Sequence, residues 1–127
     1  MKKEADYMLR GIRGATTADT NSRSDIMAAA KELLALLINE NNLNTEDIGA
    51  IIFSSTPDIN AAFPAAGARE LGLTEVPLFG TQEIDCPTGV KNCIRILILT
   101  NTELTQKDVK HLYLKGAAVL RPEYKRS

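Results

Sequence analysis

One segment limits the possible folds more than any other. Residues 93–100 read CIRILILT, and apolar side chains occupy both sets of alternating positions. A strand with one solvated face alternates apolar and polar residues, so this run predicts a strand in the middle of a sheet. Arg95 lies inside the run, and a guanidinium keeps its charge in proteins. Burying that charge is costly unless an anion faces it, so Arg95 predicts an anionic partner or ligand nearby.

Shorter patterns before and after this strand predict the other elements. Ser22 with Asp25 three residues later predicts the start of a helix, and the apolar spacing that follows continues to residues 41–42. Pro64 marks the start of a second helix and Gly72 its end. Further strands are predicted at 8–16, 50–54, 76–84 and 110–115. Because strands and helices alternate early and two strands then follow without a long helix between them, we expect an α+β (mixed α/β) fold, a mixed sheet covered by helices on one face.

The composition is that of an ordinary globular protein. Hydrophobic residues make up 44% of the 127 residues and charged residues 24%, enough for one domain over residues 1–127. We expect residues 1–7 to be a flexible N-terminal extension and residues 121–127 a mobile tail. The longest apolar run, residues 33–38, is far shorter than the roughly 18 residues that span a bilayer. The first residues contain no signal-peptide core, so we expect a cytoplasmic protein with no membrane contact.

Several classes of function lack support in the residue pattern. A net charge of −1, with no Trp and three each of Phe and Tyr, argues against a nucleic-acid partner. Cys86 and Cys93 do not form a CxxC motif, and His111 is the only histidine, so we expect no metal, two reduced thiols and a satisfied or exposed imidazole. The serines lack a GxSxG motif and the glycines lack a phosphate-loop pattern. We therefore expect no cofactor.

What remains is a set of arginines together with one acid. The planar guanidinium binds carboxylate through two hydrogen bonds, so several arginines at one cleft would suit a small ligand with two carboxylates. Glu83 shares strand parity with Phe79 and Thr81 and is predicted to project into the same space. A salt bridge is the alternative reading for each of these arginines, and a solvated strand-end charge is the alternative for Glu83. The arginines are Arg13, Arg69, Arg95 and Arg121.

The residues around these charges carry a resemblance to a known family. Residues 10–17, RGIRGATT, resemble the N-terminal signature of the trimeric chorismate mutases, which differ in fold from the all-helical ones. The match continues through STPDI at 55–59, FPA at 63–65, QEID at 82–85, CIR at 93–95, HLYL at 111–114 and AVLRP at 118–122. The resemblance therefore extends over nearly the whole chain from Met8 onward.

The resemblance implies an assembly and an activity. Three chains would form a pseudo-α/β-barrel homotrimer with an active site at each subunit interface. The implied activity is the [3,3] rearrangement of chorismate to prephenate in phenylalanine and tyrosine biosynthesis, the shikimate pathway. That reaction uses no cofactor.

The resemblance also implies roles for single residues. Arg95 matches the catalytic cation beside the breaking ether oxygen, and Glu83 matches the group that hydrogen-bonds the ring hydroxyl. Arg13 and Tyr113 match residues that hold the carboxylate side chain of the substrate. The other implied substrate-binding residues are Phe79, Gly80, Thr81 and Gln82, together with Phe63, Arg69 and Leu120, which would line the cleft from the neighbouring chain or its tail.

Two positions depart from the family pattern and leave alternatives open. Gly80 stands where a cysteine is frequent, and Ala66 stands where a lysine is frequent. Neither departure touches Arg95, Arg13 or Glu83, so the expected activity is unchanged. The two departures are the features that favour the main alternative, a non-catalytic trimeric binding module for a small dicarboxylate or an aromatic-pathway metabolite. A second alternative is an enamine or imine deaminase on a similar trimeric fold. That class would not need the full set of Arg13, Glu83, Arg95 and Tyr113.

Overall fold

The structure is a computed structural model, and it describes residues 7–124. Residues 1–6 of the expected extension and residues 125–127 of the expected tail lie outside the described residues. The described chain forms one five-stranded sheet with two α-helices, which confirms the predicted α+β class. The elements are β1 (Met8–Thr17), α1 (Arg23–Glu40), β2 (Ile48–Ser55), α2 (Ala65–Glu70), β3 (Leu78–Gln82), β4 (Cys93–Thr102) and β5 (Leu112–Tyr113), with short 3₁₀-helices at 45–47, 115–119 and 122–124.

Strand β4 lies in the centre of the sheet, as its apolar run predicts. The strand order is β3-β2-β4-β1-β5, and β4 runs antiparallel to both of its neighbours. The outer strands β3 and β5 pair in parallel with β2 and β1. The sheet is therefore mixed, and β4 is hydrogen-bonded along both edges.

The last strand is shorter than its sequence predicts. Only Leu112 and Tyr113 pair with β1, although 110–115 reads as a strand. The backbone of Lys110 is bound instead by the side chain of Asn41, which accepts from its N–H at 2.7 Å and donates to its carbonyl at 3.0 Å. An amide side chain at the end of α1 therefore takes the place of a neighbouring strand. Strand β3 is also shorter than the predicted 76–84.

The ends of both helices follow the predicted signals. The hydroxyl of Ser22 accepts from the backbone N–H of Asp25 at 3.2 Å, which caps the N-terminus of α1. Helix α1 ends just before Asn41. Gly72, with a φ of 92°, follows the end of α2 in the left-handed conformation that glycine adopts without strain. No helix within residues 7–124 is long and apolar enough to cross a membrane.

The main core lies between α1 and one face of the sheet. Ile96 and Ile98 of β4 are at most 2% exposed and belong to one cluster with Leu33 and Leu37 of α1. Burying an aliphatic side chain of this size contributes roughly 1.5–3 kcal/mol. The even-numbered residues of β4 therefore attach the sheet to α1, and the odd-numbered residues, Arg95 among them, project from the other face.

Gly14 allows α1 to approach β1 closely. A Cβ at this position would lie 2.8 Å from a methyl of Leu37, 3.0 Å from a methyl of Leu33 and 3.1 Å from the carbonyl oxygen of Leu112. The last contact is with backbone, which cannot turn aside. We expect Gly14→Ala to lower the free energy of unfolding by about 1–3 kcal/mol, measured by urea denaturation. Gly11→Ala is the matched control, since its Cβ would lie 3.6 Å from Leu97, and an equal loss in both variants would contradict the close approach.

The second face of the sheet, here called the open face, is largely uncovered within one chain. Leu97 of β4 is half-buried, Phe79 of β3 is 65% exposed and Leu9 of β1 is 62% exposed. One end of the open face is covered by a small cluster in which Tyr113 packs with Cys93. Strand β4 is therefore apolar on both faces, but the helices of its own chain bury only one of them.

Candidate active site

The register of the sheet places Arg95 in the middle of a row of side chains on the open face. Arg95 pairs with Ala15 of β1 on one side and with Ser54 of β2 on the other. Ala15 pairs in turn with Tyr113, and Ser54 pairs with Thr81. Paired residues of neighbouring strands project from the same face, so these five side chains form one row across the sheet.

Glu83 supplies an anion beside Arg95, for which the sequence predicts an anionic partner or ligand without naming one. The Nε of Arg95 donates to both carboxylate oxygens of Glu83, at 3.0 and 2.9 Å. The side chain of Arg95 is 40% exposed and that of Glu83 is 19% exposed, so Arg95 is less buried than its strand suggests. Within residues 7–124, the hydrogen bonds of the Arg95 side chain come from Nε, and its two terminal NH₂ groups donate none. They remain available to a ligand.

The Arg95–Glu83 pair lies where two clefts meet. The larger cleft, with a volume of about 520 Å³, is lined by both side chains and by the loop that joins β3 to β4. The smaller cleft, of about 180 Å³, lies on the open face and is lined by Arg95, Arg13 and Tyr113. Pockets for small organic molecules typically measure a few hundred Å³. Arg95 therefore reaches both parts of a space that suits a small ligand.

Arg13 adds a second positive charge to the same face. It pairs with Leu97, two residues from Arg95, so the two arginines are diagonal neighbours with Cβ atoms roughly 7–8 Å apart. The backbone N–H of Arg13 donates to Nδ1 of His111 at 2.9 Å, so the imidazole is satisfied, as the sequence predicts. Burial, and then the charges of Arg13 and Arg121, lower the pKa of His111. The same positive field favours carboxylates in the smaller cleft.

Tyr113 lies beneath the C-terminal segment. It is 3% exposed, and its ring centroid lies 6.0 Å from that of Tyr124. Leu120 packs against the same cluster, so in this chain it lies beside the row that contains Arg95. Arg121 is bound within this segment, since its guanidinium stacks 4.6 Å above the ring of Tyr124 and pairs with Glu123 at 2.8 Å. Arg121 therefore makes the salt bridge that the sequence left open as its alternative interpretation.

The remaining predicted residues form a separate group beside α2. They line a third cleft, with a volume of about 750 Å³. Phe63 is 81% exposed and Arg69 is also exposed. One chain therefore brings Arg95, Glu83, Arg13 and Tyr113 together but does not bring Phe63 and Arg69 to them. The predicted residues in this third cleft are Phe63, Arg69, Gly80, Thr81 and Gln82, of which Thr81 also belongs to the row of Arg95 and Gln82 also lines the larger cleft.

Gly80 leaves space where other members of the resembled family carry a side chain. It pairs with the buried Phe53 and so faces the helix side of the sheet, towards the third cleft. A Cβ at this position would meet nothing within 4 Å. The departure at Gly80 therefore enlarges the third cleft and obstructs nothing.

Both cysteines are free, as the sequence predicts. Cys93 is buried, and this burial raises the pKa of its thiol to about 11. Cys86 is exposed on the loop that lines the larger cleft, and a hydrogen bond with the hydroxyl of Thr88 lowers its pKa. Among residues 7–124, no group of three His, Cys, Asp or Glu side chains is placed to hold a metal ion.

A polar cluster at the rim of the larger cleft was not predicted from the sequence. The carboxylate of Asp58 accepts from the backbone N–H of Asn92 at 3.0 and 3.2 Å and from the hydroxyl of Thr56 at 2.5 Å. From the sequence, Thr56 and Asp58 belong only to the matched segment at 55–59, and no role is predicted for them. Thr and Asp just after a strand are typical of side chains that bond to backbone, but spacing does not reveal a partner 34 residues away.

These features define a class of protein. A mixed sheet carries a cation–carboxylate pair and a second arginine on one face, which is typical of an α+β protein with a site for a small anionic ligand. The model of the family described as chorismate mutase type I matches residues 9–124. The chain belongs to the type I chorismate mutase family.

Individual relatives agree with this assignment. The chain is 42% identical over 117 residues to the chorismate mutase AroH of Bacillus subtilis (strain 168), which covers 91% of this chain and 92% of the relative. It is 40% identical over 117 residues to the chorismate mutase AroH of Thermus thermophilus, which covers 91% of this chain and 96% of the relative. The solved structure of a chorismate mutase from Clostridium thermocellum superposes with a TM-score of 0.84 at 44% identity, covering 86% of this chain and 97% of that one. The resemblance seen in the sequence is confirmed.

Proposed function

We propose that this member of the family is a chorismate mutase that rearranges chorismate to prephenate in phenylalanine and tyrosine biosynthesis. The observation that carries the proposal is the Arg95–Glu83 pair, with its carboxylate at 2.9 Å, at the meeting point of two clefts. The relatives that bear the name chorismate mutase are 40% and 42% identical over 91% of the chain. Two free thiols suit the reducing cytoplasm, where we place the enzyme.

The reaction requires positioning and charge rather than a nucleophile. A [3,3] shift breaks a C–O bond and forms a C–C bond within one molecule, with no proton transfer and no covalent intermediate. Rate is gained by holding the enolpyruvyl arm over the ring, close to the reacting geometry. Further rate is gained by stabilising the negative charge that grows on the ether oxygen as its bond to the ring breaks.

Arg95 is the residue we assign to the ether oxygen. Its Nε is bound to Glu83, which fixes the plane of the guanidinium, and its terminal NH₂ groups are left to donate to the substrate. A charge that is already in place needs no reorganisation during the reaction, and such a group contributes roughly 3–4 kcal/mol to the transition state.

Glu83 and Arg13 complete the part of the site that one chain supplies. A carboxylate has about four acceptor positions, so Glu83 can bind Arg95 and still accept a hydrogen bond from the ring hydroxyl. Its negative charge also offsets positive character that develops on the ring. Arg13, exposed on the open face beside Tyr113, is placed to bind the carboxylate of the enolpyruvyl side chain.

We infer that a neighbouring chain completes each site in a homotrimer. The support is the separation of the predicted residues into two groups, together with the exposed apolar side chains Phe79, Leu9 and Phe63. Exposed apolar patches of this kind typically mark interfaces. Three chains packed through their open faces would cover Phe79 and Leu9, and in this trimer we expect Phe63 and Arg69 at the third cleft of one chain to lie beside Arg95 of the next.

The departures at Gly80 and Ala66 fit a mutase. Neither residue lines the two clefts that Arg95 shares. Gly80 leaves open space at the third cleft, and Ala66 replaces a positive charge at its rim. We therefore expect these positions to affect substrate affinity more than the chemical step. If the protein were instead a binding module, it would bind chorismate but would not convert it.

The activity is tested directly with the purified protein. Chorismate is followed by its absorbance, and prephenate by its acid-catalysed conversion to phenylpyruvate. We expect consumption of chorismate far above the uncatalysed rate, with prephenate formed in equal amount. Binding of chorismate without turnover would contradict the proposal and support the binding module.

A site built from two neighbouring chains predicts that two impaired variants regain activity when they are mixed. We expect Arg95→Ala and Arg69→Ala each to be impaired when alone. If the two residues meet across an interface, mixed trimers contain sites with both arginines, and an equal mixture regains up to about one quarter of wild-type activity. The measurement is turnover after the variants are unfolded and refolded together. The double variant Arg69→Ala/Arg95→Ala mixed with Arg95→Ala is the control, and restored activity in it, or none in the test mixture, would contradict the shared site.

A further inference from the structure

The loop between β3 and β4 connects the two charged residues of the proposed site. Glu83 lies at its beginning, and Arg95 follows three residues after its end at Asn92. The beginning is bound where the N–H of Glu83 donates to the carbonyl of Ser55 at 2.9 Å. The end is bound where the N–H of Asn92 donates to the carboxylate of Asp58 at 3.0 and 3.2 Å. Within residues 7–124, the hydrogen bonds of residues 84–91 stay inside the loop.

Thr56 and Asp58 extend the pairing of β2 with β4 by means of side chains. The last backbone pair of these strands is Ser55 with Ile94. One residue further, Thr56 donates its N–H to the carbonyl of Cys93 at 3.0 Å, and its hydroxyl accepts from the N–H of Cys93 at 3.0 Å. The same hydroxyl donates to Asp58 at 2.5 Å. The carboxylate of Asp58 therefore takes the position of a strand partner for Asn92, at the point where the chain of β2 has turned away.

The charge of Asp58 is maintained by these contacts. Burial opposes its ionised form, but the hydrogen bonds from Thr56 and Asn92 outweigh this effect and lower the pKa of the carboxyl. Asn92 has a φ of 52° and so lies in the left-handed region, and its carbonyl accepts from the N–H of Ala18 at 2.9 Å. Two contacts therefore hold the turn at Asn92 that leads into β4. Ala18 binds its carbonyl, and Asp58, which lines the larger cleft, binds its N–H.

We propose that Asp58 is a positioning residue, which binds the end of the β3–β4 loop and thereby keeps the Nε of Arg95 in contact with both carboxylate oxygens of Glu83. This inference rests on the proposed function, because its effect on rate is read as mutase activity. Asp58 acts through Asn92 and the loop, and contact with the substrate forms no part of its role. A misplacement of about 1 Å at a catalytic group can cost up to a hundredfold in rate.

The test compares two substitutions at Asp58. Asp58→Ala removes the acceptor and is expected to lower kcat roughly tenfold to a hundredfold, with a smaller change in KM. Asp58→Asn keeps an oxygen that can accept from the N–H of Asn92, so it is expected to retain most of the rate. Thr56→Val removes the supporting hydroxyl at nearly constant volume and is expected to lose rate in the same direction. Asn44→Ala is the control, because it removes one side-chain bond to backbone, from Glu46 N–H at 3.0 Å, in a loop that lines neither of the two clefts.

A second readout does not depend on catalysis. The Nε–H of Arg95, bound to Glu83, should exchange slowly with water in ¹⁵N-detected NMR, and Arg95→Lys assigns its signal. We expect Asp58→Ala and Thr56→Val to speed this exchange, and Asp58→Asn and Asn44→Ala to leave it close to wild type. A purely structural role of Asp58 would lower thermal stability without a selective effect on this one group.

The outcomes separate the inference from the proposed function. If the wild type converts chorismate and Asp58→Ala turns over within about twofold of it, the positioning role is wrong. An equal loss in Asp58→Ala and Asp58→Asn also overturns it, because charge and not the bond to Asn92 would then matter. If the wild type is inactive, the proposed function fails while the exchange of the Arg95 Nε–H still tests the contact. Should Asp58→Ala not fold, unchanged exchange and turnover in Thr56→Val would overturn the inference.

Discussion

Arg95→Ala is expected to lower kcat for chorismate by about 10²–10³-fold while the protein remains folded. The substitution removes the charge that we assign to the ether oxygen and leaves the rest of the cleft unchanged. Because the Arg95 side chain is 40% exposed, little core packing is lost with it. The measurement is steady-state turnover, with circular dichroism and molecular mass as checks of the fold and the assembly. Turnover of this variant at the wild-type rate would refute the mechanism.

Two further substitutions sharpen this prediction. Arg95→Lys keeps a positive charge but loses the planar guanidinium, whose Nε binds Glu83 and whose terminal NH₂ groups are left for the substrate, so we expect it also to lose most of the rate. Arg10→Ala is the matched control. Its side chain, on the same sheet, donates to the carbonyl of Leu104 at 3.1 Å and lines neither of the clefts that contain Arg95. A comparable loss in Arg10→Ala would show that any loss of positive charge on the sheet lowers the rate.

Glu83→Ala is expected to have the second-largest effect, again a loss of about 10²–10³-fold in kcat. The variant removes the group that we assign to the ring hydroxyl, and it also releases the Nε of Arg95 from its partner at 2.9 Å. Glu83→Gln separates these effects, because its amide keeps one acceptor but carries no negative charge. We expect Glu83→Gln to lie between Glu83→Ala and the wild type. The measurement is kcat and KM for each variant, and an effect confined to KM would contradict the role in charge balance.

Much of the fold can be predicted from local patterns. The apolar run of β4 predicts its central place, Ser22 predicts the start of α1, and Gly72 predicts the end of α2. These signals act over a few residues and so are visible in the sequence. The short β5 is different, because the side chain that binds Lys110 belongs to Asn41, 69 residues earlier. A contact over such a distance leaves no spacing that predicts it.

For the site too, features that depend on local patterns can be predicted and features that depend on distant contacts cannot. Strand parity predicts that Glu83 projects into the same space as Phe79 and Thr81, and the structure shows its carboxylate in contact with Arg95. The row that joins Arg95 to Tyr113 depends on the strand order, in which β5 returns to lie beside β1. The expected cover of helices on one face already leaves the second sheet face open, and the structure shows exposed side chains there. The sequence did not reveal that Asp58 binds the end of the β3–β4 loop, because that contact depends on how distant segments pack.

The most direct test of the central assignment is a structure of the protein with a bicyclic mimic of the transition state. We predict that a terminal NH₂ group of Arg95 donates to the ether oxygen of the mimic and that the carboxylate of Glu83 accepts from its hydroxyl. Arg13 should bind a carboxylate of the mimic, and Phe63 and Arg69 should approach it from a neighbouring subunit. A mimic bound without contact to Arg95 or Glu83, or bound in a site formed by one chain alone, would contradict the assignment.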